Sequence, residues 1–334
     1  MIYREGLVLG KFLPLHQGHV GLIRFAAEQC HALKVLVCAS NQEEISGATR
    51  LDWLKQTFQK DKNIEPVLIP YLESELPNTS SSSRAVSKRW TNFLQPHFPN
   101  TDVFFSSEPY GNFVAEYWGI DHVLFDQKRE FISVSGTLIR KKPLKYWSFL
   151  PEVVRPFYVC KICLLGTEST GKSHLSQRLA DHYGTLAVPE MARSMMEHTK
   201  KCTYSLLEKI AVIQAQAIQD ALPSANRVLF MDTNLLITES YAQFLFDQDL
   251  AVSSSIRDLH QANIYFYLDK DIPLVQDGTR LEEEDRVALD DSHRKLLKRR
   301  DIPYTEISGN WEERFSQICR VVDRIIETGS HSAQ

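Results

Sequence analysis

Short apolar runs alternate with amphipathic stretches along nearly the whole chain. A short apolar run bounded by turn residues reads as a strand, and apolar positions three and four apart read as one face of a helix. In the first half this predicts strands at residues 6–10, 34–40, 65–69, 102–106 and 122–125, with helical stretches such as 20–29 and 52–60 between them. A second series follows, with strands at 157–165, 186–189, 227–232, 264–269 and 304–307. Strand and helix in strict alternation imply parallel sheets, so the expected fold is α/β. Pro143, Pro151 and Pro156 punctuate the middle of the chain. Proline-bounded connection of this kind marks a domain junction, which divides the chain into domains at 1–156 and 157–330. The serine-rich run 79–83 reads as a loop close to a site, and the last six residues as a frayed tail.

Composition narrows the function. The 334 residues suit two domains, and the hydrophobic fraction of 43% and charged fraction of 24% are ordinary for globular protein. Acidic residues outnumber basic ones, 42 to 38, so nucleic acid is not the expected partner. The basic clusters Arg140–Lys142 and Arg294–Arg300 read as solvated helix faces or neighbours of phosphate sites. No apolar run approaches the ~18 residues of a membrane span, and the opening MIYREGLVLGKF has no signal-peptide pattern. The six cysteines are scattered. Cys160 and Cys163 lie three apart on an expected strand, facing opposite sides, and no second pair follows to complete a zinc site. Unpaired thiols of this kind fit a reducing cytoplasm.

Two segments carry chemistry. The first is Gly10-Lys11-Phe12-Leu13-Pro14-Leu15-His16-Gln17-Gly18-His19, between a strand and a helix. Open α/β sheets bind ligands at the carboxyl ends of their strands, and anions meet unpaired backbone N–H groups at helix N-termini. There Gly10 allows close backbone approach to a phosphate, and Gly18 removes a side chain at the helix start. His16 and His19 can donate to phosphate oxygens, and Lys11 adds a point charge. A tight turn with structural histidines is the bland alternative. Later in the same domain, Ser135-Gly136-Thr137-Leu138-Ile139-Arg140 opens a helix. The hydroxyls of Ser135 and Thr137 either cap it or bind phosphate, with Arg140 a turn further on.

The second is Gly166-Thr167-Glu168-Ser169-Thr170-Gly171-Lys172-Ser173, a GxxxxGKS sequence after a strand and before a helix from His174. In this context it is a P-loop. Its backbone N–H groups cradle phosphates, Lys172 reaches the β- and γ-phosphates, and Ser173 holds Mg²⁺. Asp232 and Glu190, each at an expected strand end, serve the metal and the acceptor hydroxyl, or else stabilise helix N-termini. Asp277-Gly278-Thr279-Arg280, with Arg286, reads as a lid bringing arginine to the transferring phosphoryl group or as an exposed charged helix start.

The GKFxPxHxGH form resembles nicotinamide mononucleotide adenylyltransferases, and Ile132 to Arg140 resembles that family's ISxTxIR-type motif. The order of the two motifs, HxGH first and P-loop second, resembles NadR-type proteins over nearly the whole chain, including Phe105 to Pro109, Met231-Asp232-Thr233 and Asp277-Gly278-Thr279-Arg280. That resemblance implies a Rossmann-like nucleotidyltransferase domain followed by a P-loop kinase domain. It implies phosphorylation of nicotinamide riboside by ATP, adenylylation of nicotinamide mononucleotide to NAD, and Mg²⁺ as cofactor. It also assigns β- and γ-phosphate binding to Ser135, Thr137 and Arg140, and substrate binding to Arg193. The chain departs from the family at Pro189, Met191 and Ser194, and in the loop up to Trp90, where aromatic residues are fewer. Two other readings stay open: an adenylyltransferase-kinase of coenzyme A synthesis, and an NAD-responsive regulator. With the first strand only a few residues into the chain, no DNA-binding segment is expected ahead of it.

Overall fold

The computed structural model describes residues 2–77, 82–126, 134–195, 202–272 and 283–329. The chain divides into two units, Met1–Val154 and Arg155–Gln334.

In the first unit, β1 (Tyr3–Gly10), α1 (Gln17–Ala27), β2 (Cys30–Ser40), α2 (Gly47–Thr57), β3 (Ile64–Tyr71), α3 (Arg84–Leu94), β4 (Val103–Ser106), α4 (Tyr110–Trp118), β5 (Asp121–Leu124) and α5 (Gly136–Lys141) follow in turn. The strands form one parallel sheet in the order β3-β2-β1-β4-β5. Leu7, Val8, Leu33, Val35, Leu36, Val37 and Val103 to Phe105 are fully buried. Helices cover both faces of such a sheet, so its central strands read as continuous apolar runs. The chain leaves β1 toward β2 on one side and returns through β4 on the other. The carboxyl ends of β1 and β4 therefore flank the point where strand order reverses, the crevice in which open sheets bind ligands.

In the second unit, α6 (Arg155–Tyr158), β6 (Cys160–Leu165), α7 (Lys172–Tyr183), β7 (Leu186–Val188), α8 (Ala192–Met195), α9 (Tyr204–Ala221), β8 (Val228–Asp232), α10 (Leu235–Phe246), α11 (Ser254–His260), β9 (Ile264–Leu268), α12 (Glu283–Arg299), β10 (Thr305–Ile307) and α13 (Trp311–Thr328) build a second parallel sheet, ordered β10-β9-β6-β8-β7. The strand β6 lies at its centre, with Asp232 at the end of the adjacent β8.

The two parallel α/β sheets are those expected, and several local boundaries move: β1 begins at Tyr3 and β2 at Cys30, ahead of the expected 6 and 34, and α2 at Gly47 rather than 52. Residues 155–158 form a helical turn, and pairing begins at Cys160, whose N–H donates to Arg227 O at 2.9 Å. Pro156, whose ring fixes φ near the helical value, suits the first turn of that helix. The helix after the P-loop starts at Lys172 rather than at His174. The strand β7 ends at Val188, which leaves Glu190 in the connection beyond it. All six cysteines are free thiols, and burial pushes the Cys160 and Cys163 thiols above their ordinary range. Among the described residues no helix is long and apolar enough to cross a membrane.

Candidate active sites

The chain leaves β1 at Gly10 and turns sharply. Phe12 takes a positive φ of 49° and its ring folds back on Gly10, where a Cβ would stand 3.0 Å from the ring. Close packing of Phe12, and not phosphate approach alone, thus accounts for the glycine. The Phe12 ring meets His19 edge-on at 5.0 Å, and the His16 and His19 rings stack at 3.7 Å.

His16 is the N-cap of α1. Its Nδ1 accepts from Gly18 N–H at 3.1 Å, while His19 Nδ1 accepts from His16 N–H at 3.3 Å. The two imidazoles thus make a reciprocal capping box, a task usually left to hydroxyl and carboxylate side chains. The consequence is chemical. A neutral imidazole whose Nδ1 accepts must carry its proton on Nε2, so each ring offers Nε2–H as its donor. Burial, helped by neighbouring His16, holds His19 well below the usual histidine range, so that neutral form persists at pH 7.

Both histidines line a cavity of about 390 Å³ together with Lys11, Ser107, Glu108, Ser135, Thr137 and Arg140. It opens at the carboxyl ends of β1 and β4, and the N-terminus of α1 faces it with no acidic residue in the first turn. Ser135 Oγ accepts from Leu138 N–H at 3.3 Å and so caps α5. Arg140 donates to Leu13 O, and its other terminal nitrogen reaches Thr137 Oγ1 at 3.3 Å. Lys11 is held between carboxylates: Nζ lies 2.9 Å from Glu43 Oε1 and 3.8 Å from Glu73 Oε1. Burial disfavours its charge, but the Glu43 contact, with Tyr71 and Glu73, outweighs it and raises the ammonium above its ordinary value.

The P-loop joins β6 to α7. Gly171 sits at φ +86° with Trp311 packed where its Cβ would be, 2.2 Å from a ring carbon, so a side chain is excluded by both backbone and neighbour. Lys172 is buried and donates to Gly166 O at 2.7 Å and Thr167 O at 2.9 Å. Ser173 Oγ and Asp232 Oδ1 are buried with no hydrogen-bond partner, as are Thr167 Oγ1, Thr233 Oγ1 and Arg286 Nη2. Unpaired buried polar atoms are rare in native folds, and several around one loop mark a place built for a polar ligand. Thr233, beside Asp232, is a β-branched residue held at φ 96°, backbone strain of the kind that collects at functional sites.

Glu190 lies in the same place. Burial raises its carboxyl and the Asp232 charge adds to that, against Lys172 and Arg193. Arg193 ion-pairs with Glu190 at 3.1 Å. Arg286, 2% exposed, begins the buried stripe of α12 and donates from Nε to Glu168 O in the P-loop at 3.1 Å. Arg280, with the 277–280 segment, lies outside the described residues, and Arg286 is held in place by Glu168 O and Glu283. The basic run 294–300 is a largely solvated helix face, with Lys295, Lys298, Arg299 and Arg300 exposed, and its arginines form ion pairs. Arg294 pairs with Asp290 and stacks 4.3 Å over Tyr267, Arg299 pairs with Asp249, and Arg300 pairs with Glu239.

Sequence reasoning missed a second circle of residues. His293 is buried with neither ring nitrogen bonded, and burial, then the Lys172 charge, takes it down to about 3 against the pull of Asp290. Tyr241 meets it at 5.8 Å and donates to Glu168 Oε1 at 3.0 Å. Arg50, Glu43 and Glu73 surround Lys11. None belongs to a motif, and the buried stripe of α12 (Arg286, Leu289, Asp290, His293, Leu296, Leu297) is too polar to show as an apolar period.

Residues 161–314 match a family model described as an AAA domain. NadR of Salmonella typhimurium, described as a trifunctional NAD biosynthesis/regulator protein, is 29% identical over 96% of this chain and 83% of its own length. The Escherichia coli protein of the same description is 29% identical over 95% and 82%. The chain is similar to NadR over nearly its whole length. Two NadR crystal structures share the fold of the NadR-like chain at a TM-score of 0.75 and 20% identity. One, in complex with NAD and AMP-PNP, covers 99% of this chain; the other, in complex with NR, covers 100%.

Proposed function

We propose that this NadR-like protein is a bifunctional enzyme of NAD biosynthesis, with an adenylyltransferase in its first unit and a ribosylnicotinamide kinase in its second. The observation that carries the reading is that each unit places its motif at the carboxyl end of a central strand, where open sheets bind ligands: the His16–His19 pair after β1, the P-loop after β6.

In the first unit a phosphate oxygen of nicotinamide mononucleotide attacks the α-phosphorus of ATP in line, and pyrophosphate leaves. No covalent intermediate is needed, so catalysis rests on alignment and on donors aimed at oxygens that gain charge. His16 and His19 supply fixed Nε2–H donors. Lys11 and Arg140 supply charge, Ser135 and Thr137 line the β- and γ-phosphate end, and the α1 N-terminus, with Gly10 and Gly18, forms the floor.

In the second unit the hydroxyl of nicotinamide riboside attacks the γ-phosphorus of ATP, the bond from that phosphorus to the bridging oxygen breaks, and ADP leaves. Glu190, whose carboxyl is raised toward working pH, takes the hydroxyl proton. Lys172 and Arg286, with Arg280 from the preceding segment, hold the phosphoryl oxygens, and Gly166 and Gly171 shape the loop. Arg193 orients Glu190 and faces the acceptor. Mg²⁺ fits Ser173 and Asp232, two oxygen donors whose buried atoms have no other partner. Bound there, the ion neutralises charge on the phosphates.

Incubation with ATP, Mg²⁺ and a panel of nucleosides and mononucleotides, read by mass, tests the reading. The expected products are nicotinamide mononucleotide from its riboside and NAD from the mononucleotide. Dephospho-coenzyme A from phosphopantetheine, with no pyridine product, would replace it.

A further inference from the structure

Arg50 is one of the largest side chains in the protein to be completely buried, and it lies outside the cavity of the first unit. Its guanidinium is committed on three sides. Nη1 donates to Lys11 O at 2.6 Å and to Cys38 O at 3.2 Å, Nε donates to Ser46 O at 3.3 Å, and Nη2 pairs with Glu43 Oε2 at 2.6 Å. Glu43 is itself only 5% exposed. Its Oε2 also accepts from Ser40 N–H at 3.0 Å, while its Oε1 faces the Lys11 ammonium at 2.9 Å. Ser40 Oγ in turn donates to Glu73, the second carboxylate near Lys11.

Arg50 therefore grips Lys11 at both ends. It holds the backbone carbonyl directly and the ammonium through Glu43. A buried ion pair of this kind is a poor stabiliser, since well-packed apolar residues commonly serve as well or better. What the pair supplies is geometry. Lys11 is the first residue after β1 and the lysine of the cavity wall. A long side chain fixed beforehand loses less freedom when it meets a ligand.

We propose that Arg50 is a positioning residue for nucleotidyl transfer, acting through Glu43 and Lys11 to fix the lysine that meets the phosphates. The inference rests on the adenylyltransferase reading above and extends it to a side chain that touches no substrate. Glu43 sets the reach of the ammonium and Arg50 sets Glu43, so loss of Arg50 frees both ends of Lys11. Small misplacements of this kind, caused by changes away from the chemistry, cost on the order of 10²-fold in rate.

A double-mutant cycle on the full chain tests it, with NAD formation from nicotinamide mononucleotide and ATP as the readout. Melting temperature and phosphorylation of nicotinamide riboside are measured on each preparation. Arg50→Met is expected to lower kcat by roughly 10- to 100-fold. In a Lys11→Met background the same change is expected to cost less than about 3-fold, because what it positions is gone. Arg50→Lys keeps the charge beside Glu43 but not the fork that reaches Lys11 O, and it repeats the cycle should Arg50→Met fail to fold. It is expected to show the same non-additivity. Additive losses in both cycles, or a Lys11→Met enzyme as fast as wild type, would overturn the proposal while the adenylyltransferase reading stands. A wild-type protein that forms no NAD from these substrates overturns the reading and the proposal together.

Discussion

At the scale of single residues, each proposed role follows from what an atom is already bonded to. His19 gives its Nδ1 to the His16 N–H, so only Nε2–H remains to meet phosphate, and the ring cannot be swapped for a hydroxyl without losing reach. His19→Ala is expected to lower kcat for NAD synthesis on the order of 10²–10³-fold, as removal of one oxyanion donor does. The mononucleotide KM should stay within a few-fold. The capping box is also broken, which costs about 1 kcal/mol. Measured on one preparation, normal turnover beside a lower Tm would leave His19 with a capping role alone. Asp232 and Glu190 separate in the same manner. Asp232 Oδ1 has no partner, whereas Glu190 pairs with Arg193 and carries a raised carboxyl. Asp232→Asn is therefore expected to raise the Mg²⁺ concentration needed for half-maximal phosphorylation, and Glu190→Gln to lower kcat without that shift. A titration giving the reverse pattern exchanges the two roles.

Among the elements, α12 ties the P-loop of the second unit to α10. One stripe of it faces the P-loop through Arg286 and faces α10 through the Ser292–Ser240 contact and the His293–Tyr241 ring pair. His293 makes that stripe sensitive to acid. Its folded value, about 3, lies below the ordinary 6.5. Above pH 6.5 both folded and unfolded chains hold it neutral, and its contribution is fully present. As pH falls from 6.5 toward 3 the unfolded chain takes up a proton that the folded chain refuses, so stability is lost through that window. Burial depresses His260 in the same direction. His293→Leu removes two unpaired buried nitrogens and is expected to stabilise the unit by about 1 kcal/mol at pH 7.5. Its advantage should widen at pH 5. Urea unfolding at the two pH values checks this, and a gain that stays constant would show that folded His293 takes up its proton as readily as the unfolded chain does.

For the molecule as a whole, two parallel sheets with one motif each are expected to carry two activities that fail separately. Lys172 belongs to the second unit alone, so Lys172→Ala is expected to abolish phosphorylation of nicotinamide riboside and leave NAD formation from supplied mononucleotide within 2-fold or so of wild type, on the order of experimental scatter. Loss of both activities in a folded mutant would refute the division. How much of this was legible beforehand differs by level. Periodicity, the glycine and proline punctuation and the two motifs determined the α/β class, the strand positions and the places of His16, His19, Lys172 and Ser173, because each is encoded by neighbours along the chain. A motif is a local agreement between backbone conformation and side chain, and local agreements can be read from sequence. Tertiary structure alone decided that Glu190 feels both Lys172 and Asp232. It alone brought Arg50 and Glu43 from another element to Lys11. It likewise turned a polar face of α12 inward, with His293 against Tyr241 and Arg286 against the P-loop. Those contacts join residues tens of positions apart, and a buried charge looks in sequence like an exposed one until the partner that neutralises it is folded against it.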